Sequence, residues 1–203
     1  MGDYLTYFKE IFDAETLEQA KDIVLTPDPN DVNKFIFETQ WLIKFINAHF
    51  NVNEKTKVLD FGCGMGRISK ELIETFDCFV KGIDISDNML SIAKEYVDSD
   101  KFFPDKSHSI QDIDLVISSF VLQHSENPEQ DIENLYTVMN PNGIFVLVNE
   151  PNRFVPTGVN KDNYVIWNDD KVDIIELMKS KFKFIDKYNY YNSLPILTLW
   201  TKL

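Results

Sequence analysis

Glycines at alternate positions, Gly62, Gly64 and Gly66, follow directly on the run Lys57-Val58-Leu59-Asp60-Phe61. Beyond them Ile68, Leu72, Ile73 and Phe76 recur at helical spacing. An apolar run that ends in an acid, breaks into glycine and resumes with a helical period reads as a buried strand, a tight turn and a helix N-terminus. Such a turn presents backbone N–H groups to a ligand. Glycine there permits positive φ and lets the ligand approach without a Cβ in the way.

The pattern repeats along the chain. Cys78–Ile85 is a second apolar run, carrying Asp84 near its end, and Ser86 caps a helix with Met89, Leu90, Ala93 and Val97. Phe102 and Phe103 suggest a short third strand that Pro104 keeps from being long. Ile113–Ser119 reads as a buried strand, Pro128 opens a helix, Asn140-Pro141-Asn142-Gly143 is a turn, and Ile144–Val148 is the next strand. A helix at 170–180 precedes two closing strands, Phe182–Tyr190 and Pro195–Thr201, joined by a short connection. Upstream, a helical stretch over 3–25 breaks near Asp13, with Thr16 and Gln19 as a capping pair, and a further helix spans 32–50. Alternating strands and helices predict a mostly parallel, doubly wound sheet with helices on both faces. The closing pair must be antiparallel. Ligands of such sheets lie beyond the carboxyl ends of the strands, so the loops after Asp60, Asp84, Ser119 and Val148 are expected around one crevice.

At 203 residues the chain is expected to be a single domain, with a helical cap over 1–35, a core over 57–149 and a loop over 150–168 facing the second ligand. Thirty-three acidic residues against 20 basic ones give a net charge of −13, which disfavours nucleic acid and anionic membrane as partners. Two cysteines, one of them inside the glycine turn, make no disulfide framework, and no apolar run resembles a signal or a span. A cytoplasmic setting is expected. No His/Cys/Asp cluster suggests a metal.

The ligand's chemistry follows from the acids. A dinucleotide turn wants glycine at the position of Arg67, so G-x-G-x-x-G fails. Asp60 suits an ammonium, the turn N–H groups suit a carboxylate, and Asp84, 20 residues after Gly64, suits paired ribose hydroxyls. An amino acid joined to a nucleoside meets all three requirements. A turn-initiating or helix-capping aspartate is the structural alternative for each acid taken alone.

At these residues the chain resembles the class I S-adenosylmethionine-dependent methyltransferases. The resemblance rests on Val58-Leu59-Asp60-Phe61-Gly62-Cys63-Gly64-Met65-Gly66-Arg67, on Gly82-Ile83-Asp84-Ile85-Ser86, on Asp112–Val116 through Val121-Leu122-Gln123-His124, and on Asn140–Ile144. It implies a Rossmann-like, seven-stranded sheet with an antiparallel last strand. It also implies a cofactor site of Asp60, Gly62, Cys63, Gly64, Gly66, Arg67, Asp84, Ile85 and Ser119, with Ile85 as an apolar wall for adenine. A polar residue after the third strand is expected at the adenine amino group, and Asp105 is the candidate.

Methyl transfer needs alignment first, and a base only when the acceptor keeps its proton at neutral pH. His124, just past the fourth strand, and Glu150, past the fifth, are the candidate bases. A histidine bonded to backbone is the alternative for His124. The DNA-amine methylation signature and a Pro-Cys nucleophile are both absent, which points to a small-molecule acceptor. Its wall is expected from the N-terminal stretch and the 150–168 loop, with Tyr4, Tyr7, Phe8, Phe154, Tyr164 and Trp167 and the cation Arg153. The runner-up readings are a non-catalytic cofactor-binding subunit and a nicotinamide-dependent oxidoreductase. The oligomeric state is not legible.

Overall fold

The computed structural model describes residues 12–25, 32–107, 109–149, 156–159, 165–167, 173–190 and 196–203. Its helices are α1 (Leu17–Leu25), α2 (Val32–His49), α3 (Arg67–Phe76), α4 (Asp87–Val97), α5 (Pro128–Val138) and α6 (Ile174–Lys181). The strands are β1 (Lys57–Phe61), β2 (Phe79–Ile83), β3 (Phe102–Asp105), β4 (Ile113–Ser119), β5 (Met139–Asn149), β6 (Pro156–Val159), β7 (Val165–Trp167), β8 (Phe182–Asn189) and β9 (Ile196–Lys202). Seven of them make one sheet in the order β3-β2-β1-β4-β5-β9-β8, and β6 and β7 pair separately. The Cα packing divides the chain into two compact units, one within Lys9–Ser107 and one within His108–Leu203.

In the first unit β1 pairs with β2 in parallel, Asp60 opposite Gly82 and Phe61 opposite Ile83. Strand β2 pairs with β3, also in parallel, and Pro104 lies on this outermost strand, where a missing N–H is tolerated. Val58, Leu59, Val80 and Leu72 are fully buried, as the apolar runs require. The capping expected for α1 is present: Gln19 N–H donates to Thr16 Oγ1 at 3.2 Å, and Glu15 N–H donates to Gln19 Oε1 at 2.8 Å. Helix α2 buries Leu42, Ile43, Phe45 and Ile46, whereas Ile36, placed on the same arc by periodicity, is exposed. Glu38 and Thr39 are buried in its stead, and Thr39 turns out to have a partner in α3.

In the second unit β4 and β5 run parallel, and β9 joins β5 antiparallel before β8 joins β9 antiparallel. The sheet therefore has the reversed strand that the short β8–β9 connection demands. The expected turn at Asn140–Gly143 persists as a bulge inside β5: the register jumps from Ile113↔Met139 to Leu115↔Ile144. Asn140 Nδ2 pins the bulge by donating to Asp114 Oδ1 at 2.8 Å. The stretch expected as a loop over 150–168 contains the antiparallel pair β6–β7, a correction that follows from backbone pairing of Val159 with Val165 and Pro156 with Trp167. Both cysteines are free and buried. Among the described residues no helix is long and apolar enough to cross a membrane.

Candidate cofactor and acceptor sites

The glycine turn is fastened to the end of β2. The N–H groups of Gly62 and Cys63 both donate to Ile83 O, at 2.7 and 2.9 Å, and Gly66 N–H donates to Cys63 O at 2.9 Å. Gly64 N–H donates to Asp84 Oδ2 at 2.8 Å. This corrects the expectation that the turn's N–H groups stand ready for a ligand carboxylate. With glycines at alternate positions the turn curls tightly enough to spend these four donors on the protein.

Gly62, Gly64 and Gly66 all have positive φ, at 75°, 51° and 82°. Their surroundings differ. A Cβ on Gly66 would stand 2.6 Å from Val97 Cγ2 and 3.3 Å from Ala93 Cβ, so this glycine lets α3 approach α4. A Cβ on Gly64 would meet nothing within 4 Å. Gly66 therefore serves packing, and Gly64 faces open space beside Asp84.

Asp60 is the penultimate residue of β1 and is buried. Gly66, at the N-cap of α3, offers no side-chain cap. Asp60 fills that role from the neighbouring strand: Ser69, in the first turn, donates its backbone N–H to the Asp60 carboxylate and its Oγ to Asp60 Oδ2 at 2.7 Å. Burial pushes the Asp60 carboxyl from 3.8 up to about 6, with the Ser69 bond and the Arg67 charge opposing and Asp84 adding to the rise. Cys63 is buried beside the same acids. Burial first, then the charges of Asp60 and Asp84, raise its thiol well above the usual value, so it is an inert lining group.

Arg67 is corrected. It is expected among the cofactor residues at the end of the glycine turn, but it is the first residue of α3 and is buried. Its guanidinium donates to Thr39 Oγ1 and lies over the Phe35 ring, 5.5 Å from the centroid. An arginine at a helix start is directed by what packs on the helix, and here that is α2.

Asp84 takes Gly64 N–H on Oδ2 and Ser86 N–H at 3.0 Å on Oδ1. Burial raises its pKa, the backbone donors of Ser86 and Gly64 oppose, and the Asp13 charge adds to the rise. Each carboxylate oxygen has a second lone pair, so both can still accept a hydroxyl. Ile85, next in the chain, is 47% exposed, which settles it as an uncovered apolar side chain rather than core. Open space at Gly64, a two-pronged acceptor at Asp84 and an uncovered apolar face at Ile85 together fit the ribose and adenine of S-adenosylmethionine. Asp105, the candidate for the adenine amino group, ends β3 opposite Ile83. It accepts from Ser107 Oγ at 2.7 Å and from the buried Lys81 Nζ at 3.0 Å, and these two bonds hold its carboxyl well below the ordinary range.

In the second unit Ser119 ends β4, and its Oγ is buried with no hydrogen-bond partner among the described residues. The same is true of Ser118 Oγ and of Asn149 Oδ1, at the end of β5. Ser118 pairs with Leu147, two residues before Asn149, so both side chains belong to one face of the sheet. Phe120, directly after β4, adopts φ 62°, its N–H bonded to Val148 O at 2.8 Å and its ring edge-on to buried Tyr190. His124 closes a single 3-10 turn, Leu122–His124, with Nε2 3.2 Å from Gln123 Nε2. Asn149 was missed in the sequence, although it lies at the end of an apolar strand much as Asp60 does. Glu150, Tyr7 and Arg153 lie outside the described residues, as do Tyr4, Phe8, Phe154 and Tyr164. Trp167 ends β7, and its side chain is likewise outside them.

The sheet order is that of a Rossmann-like, doubly wound fold, and the turn–acid pair has the shape and donor set that suit a nucleoside. Residues 59–147 match the family described as methyltransferase domain. Over these residues the chain is similar to the class I S-adenosylmethionine-dependent methyltransferases. It is 28% identical over 145 residues to a ubiquinone biosynthesis O-methyltransferase of Rickettsia felis, covering 63% of this chain and 55% of that protein. It is also 28% identical over 111 residues to a sterol 24-C-methyltransferase of Clavispora lusitaniae, covering 50% of this chain and 30% of that one. The chain thus spans about half or less of the length of these curated relatives. Among solved structures, the N-methyltransferase NodS of Bradyrhizobium japonicum, in complex with S-adenosyl-L-homocysteine, superposes with a TM-score of 0.67 at 14% identity, covering 100% of this chain and 99% of that one. That likeness is one of fold.

Proposed function

We propose that this protein moves a methyl group from S-adenosylmethionine to an oxygen or nitrogen of a small polar metabolite by in-line displacement. S-adenosylmethionine supplies an electrophilic methyl group on a sulfonium. Asp84 and Ile85 hold the nucleoside, and Asp60 sets the negative field for the ammonium of the methionine end. The observation that carries the acceptor reading is the pair of buried, unpartnered oxygens Ser118 Oγ and Asn149 Oδ1, on one face of the sheet at the ends of β4 and β5. Leaving such atoms unpaired is costly, and a ligand with hydroxyl or amine donors relieves that cost. An apolar acceptor does not. His124 is the candidate base where the acceptor is an alcohol, with Glu150 the second. The charge of −13 weighs against nucleic acid and anionic membrane as acceptors. The O-methyltransferase relative is in keeping with an oxygen acceptor.

Calorimetry with S-adenosylhomocysteine, S-adenosylmethionine and NAD is expected to give binding of the first two alone. Release of S-adenosylhomocysteine is then measured over a panel of alcohols, phenols, amines and carboxylic acids. Turnover that falls on His124→Gln and Asn149→Leu, with cofactor affinity kept, supports the reading. Cofactor binding without turnover on any acceptor would favour the non-catalytic subunit, and NAD binding would favour redox chemistry.

A further inference from the structure

The stretch before α1 is bonded to the acid loop of the cofactor site. Asp13 lies 73 residues upstream of Ser86, yet Ser86 Oγ donates to Asp13 Oδ1, and Asn88 Nδ2 donates to Asp13 Oδ2 at 2.9 Å. Both carboxylate oxygens of Asp13 are thereby spent on the N-terminus of α4. Ser86 is fully buried and has three tasks. Its hydroxyl caps α4 by accepting Met89 N–H at 2.9 Å, the same hydroxyl donates to Asp13, and its backbone N–H holds Asp84 Oδ1. Since Asp84 Oδ2 receives Gly64 N–H, one unbroken chain of hydrogen bonds runs from Asp13 through Ser86 and Asp84 to the glycine turn. A hydroxyl has one proton, so without Asp13 the Ser86 side chain would turn that proton elsewhere and its position over Asp84 would loosen.

A second contact is independent of this one. Ala14, next to Asp13, and Ala20 of α1 are buried in one apolar cluster with Met89 of α4 and with Met65, which stands between Gly64 and Gly66 in the turn itself. Ile23, Val24 and Phe35 pack against the same cluster. The short stretch from Asp13 to α1 thus braces both cofactor loops, the acid loop through Ser86 and the glycine loop through Met65.

We propose that Asp13 is a positioning residue for the cofactor, acting through Ser86 to aim the Asp84 carboxylate at the ribose, so that residues 13–25 belong to the cofactor site and not only to an acceptor cap. The coupling is reciprocal, so cofactor binding tightens the attachment of this stretch to α4.

The test is a double-mutant cycle read as S-adenosylhomocysteine affinity by calorimetry, with the unliganded Tm measured alongside. Asp13→Ala is expected to weaken binding about tenfold, and in a Ser86→Ala background the same change is expected to cost less than about twofold. Asp13→Asn, whose amide oxygen still accepts from Ser86 while Asn88 rotates its own amide, is expected to restore most of the affinity. Should loss of the α4 cap unfold Ser86→Ala, Asp84→Asn serves as the second background, with the same loss of effect expected. Limited proteolysis supplies the reciprocal readout: bound S-adenosylhomocysteine is expected to slow cleavage within residues 13–25 in the wild type and not in Asp13→Ala. Affinity unchanged in Asp13→Ala, or costs that add across the cycle, overturns the proposal. A lowered Tm with unaltered affinity overturns it as well, since that is what a purely structural bond would give.

Discussion

Replacing Asp60 by asparagine separates charge from shape at the centre of the proposed cofactor site. The carboxyl is 2% exposed and titrates at about 6 in the folded protein, against 3.8 for the free group. Burial is the main cause, and the Ser69 hydrogen bond and the Arg67 charge offset only part of it. Between these two values the folded state holds a proton that the unfolded state has released. Stability therefore falls as pH rises through this window. Below about pH 4 both states are protonated and the group contributes nothing; above about pH 6 the full cost of the buried anion is present. The gap from 3.8 to about 6 corresponds to about 3 kcal/mol of destabilisation at neutral pH. Asparagine can accept the Ser69 hydroxyl without ionising. Urea unfolding of Asp60→Asn and wild type, compared at pH 4, 5, 6 and 7.5, is expected to show the variant gaining on the wild type by about 3 kcal/mol across that range. Saturating S-adenosylhomocysteine, whose ammonium gives the anion a partner, is expected to stabilise the wild type more than the variant. A difference between the two proteins that stays flat with pH refutes the reasoning, because it would mean that Asp60 is not a strained anion at neutral pH.

The remaining expectations concern the turn and the helix behind it. Gly64→Ala places a Cβ in open space at φ 51°, so the fold should survive at a cost of about 1 kcal/mol, while S-adenosylhomocysteine affinity drops at least about tenfold in calorimetry. Gly66→Ala reverses the balance: the new Cβ meets Val97 Cγ2 at 2.6 Å, so thermal unfolding should show a loss of about 2–4 kcal/mol, part of it recovered by Val97→Ala. Arg67→Lys keeps the charge near Asp60 but loses the fork over Phe35 and Thr39. Stability should fall by about 1–2 kcal/mol in urea titration, with affinity for S-adenosylhomocysteine held within about twofold.

These outcomes divide along the line between what the sequence made legible and what it did not. Asp60, Asp84 and the glycines between them were legible because their signal is local: an acid at the end of an apolar strand, and turn residues at a spacing few other structures need. The mostly parallel sheet and its reversed strand were legible for a similar reason, since a short connection leaves β8 and β9 no other pairing. The count of seven strands came from the family resemblance, and the strand order only from the structure. Arg67 was misplaced because the direction of a side chain at a helix start depends on Thr39, 28 residues upstream, and no pattern around position 67 reports it. The turn's N–H groups were misread because their acceptor, Ile83 O, belongs to another strand. Asp13 was read only as a helix break, and its bond to Ser86 crosses 73 residues. Asn149 is the exception that the same rule covers: a polar residue closing an apolar strand, overlooked beside the more conspicuous Glu150. In the proposed site, recognition falls to residues close in sequence to the glycine turn, and aim and stability to distant residues that hold them. For that reason Gly64→Ala and Gly66→Ala, two residues apart in one turn, should fail in different assays.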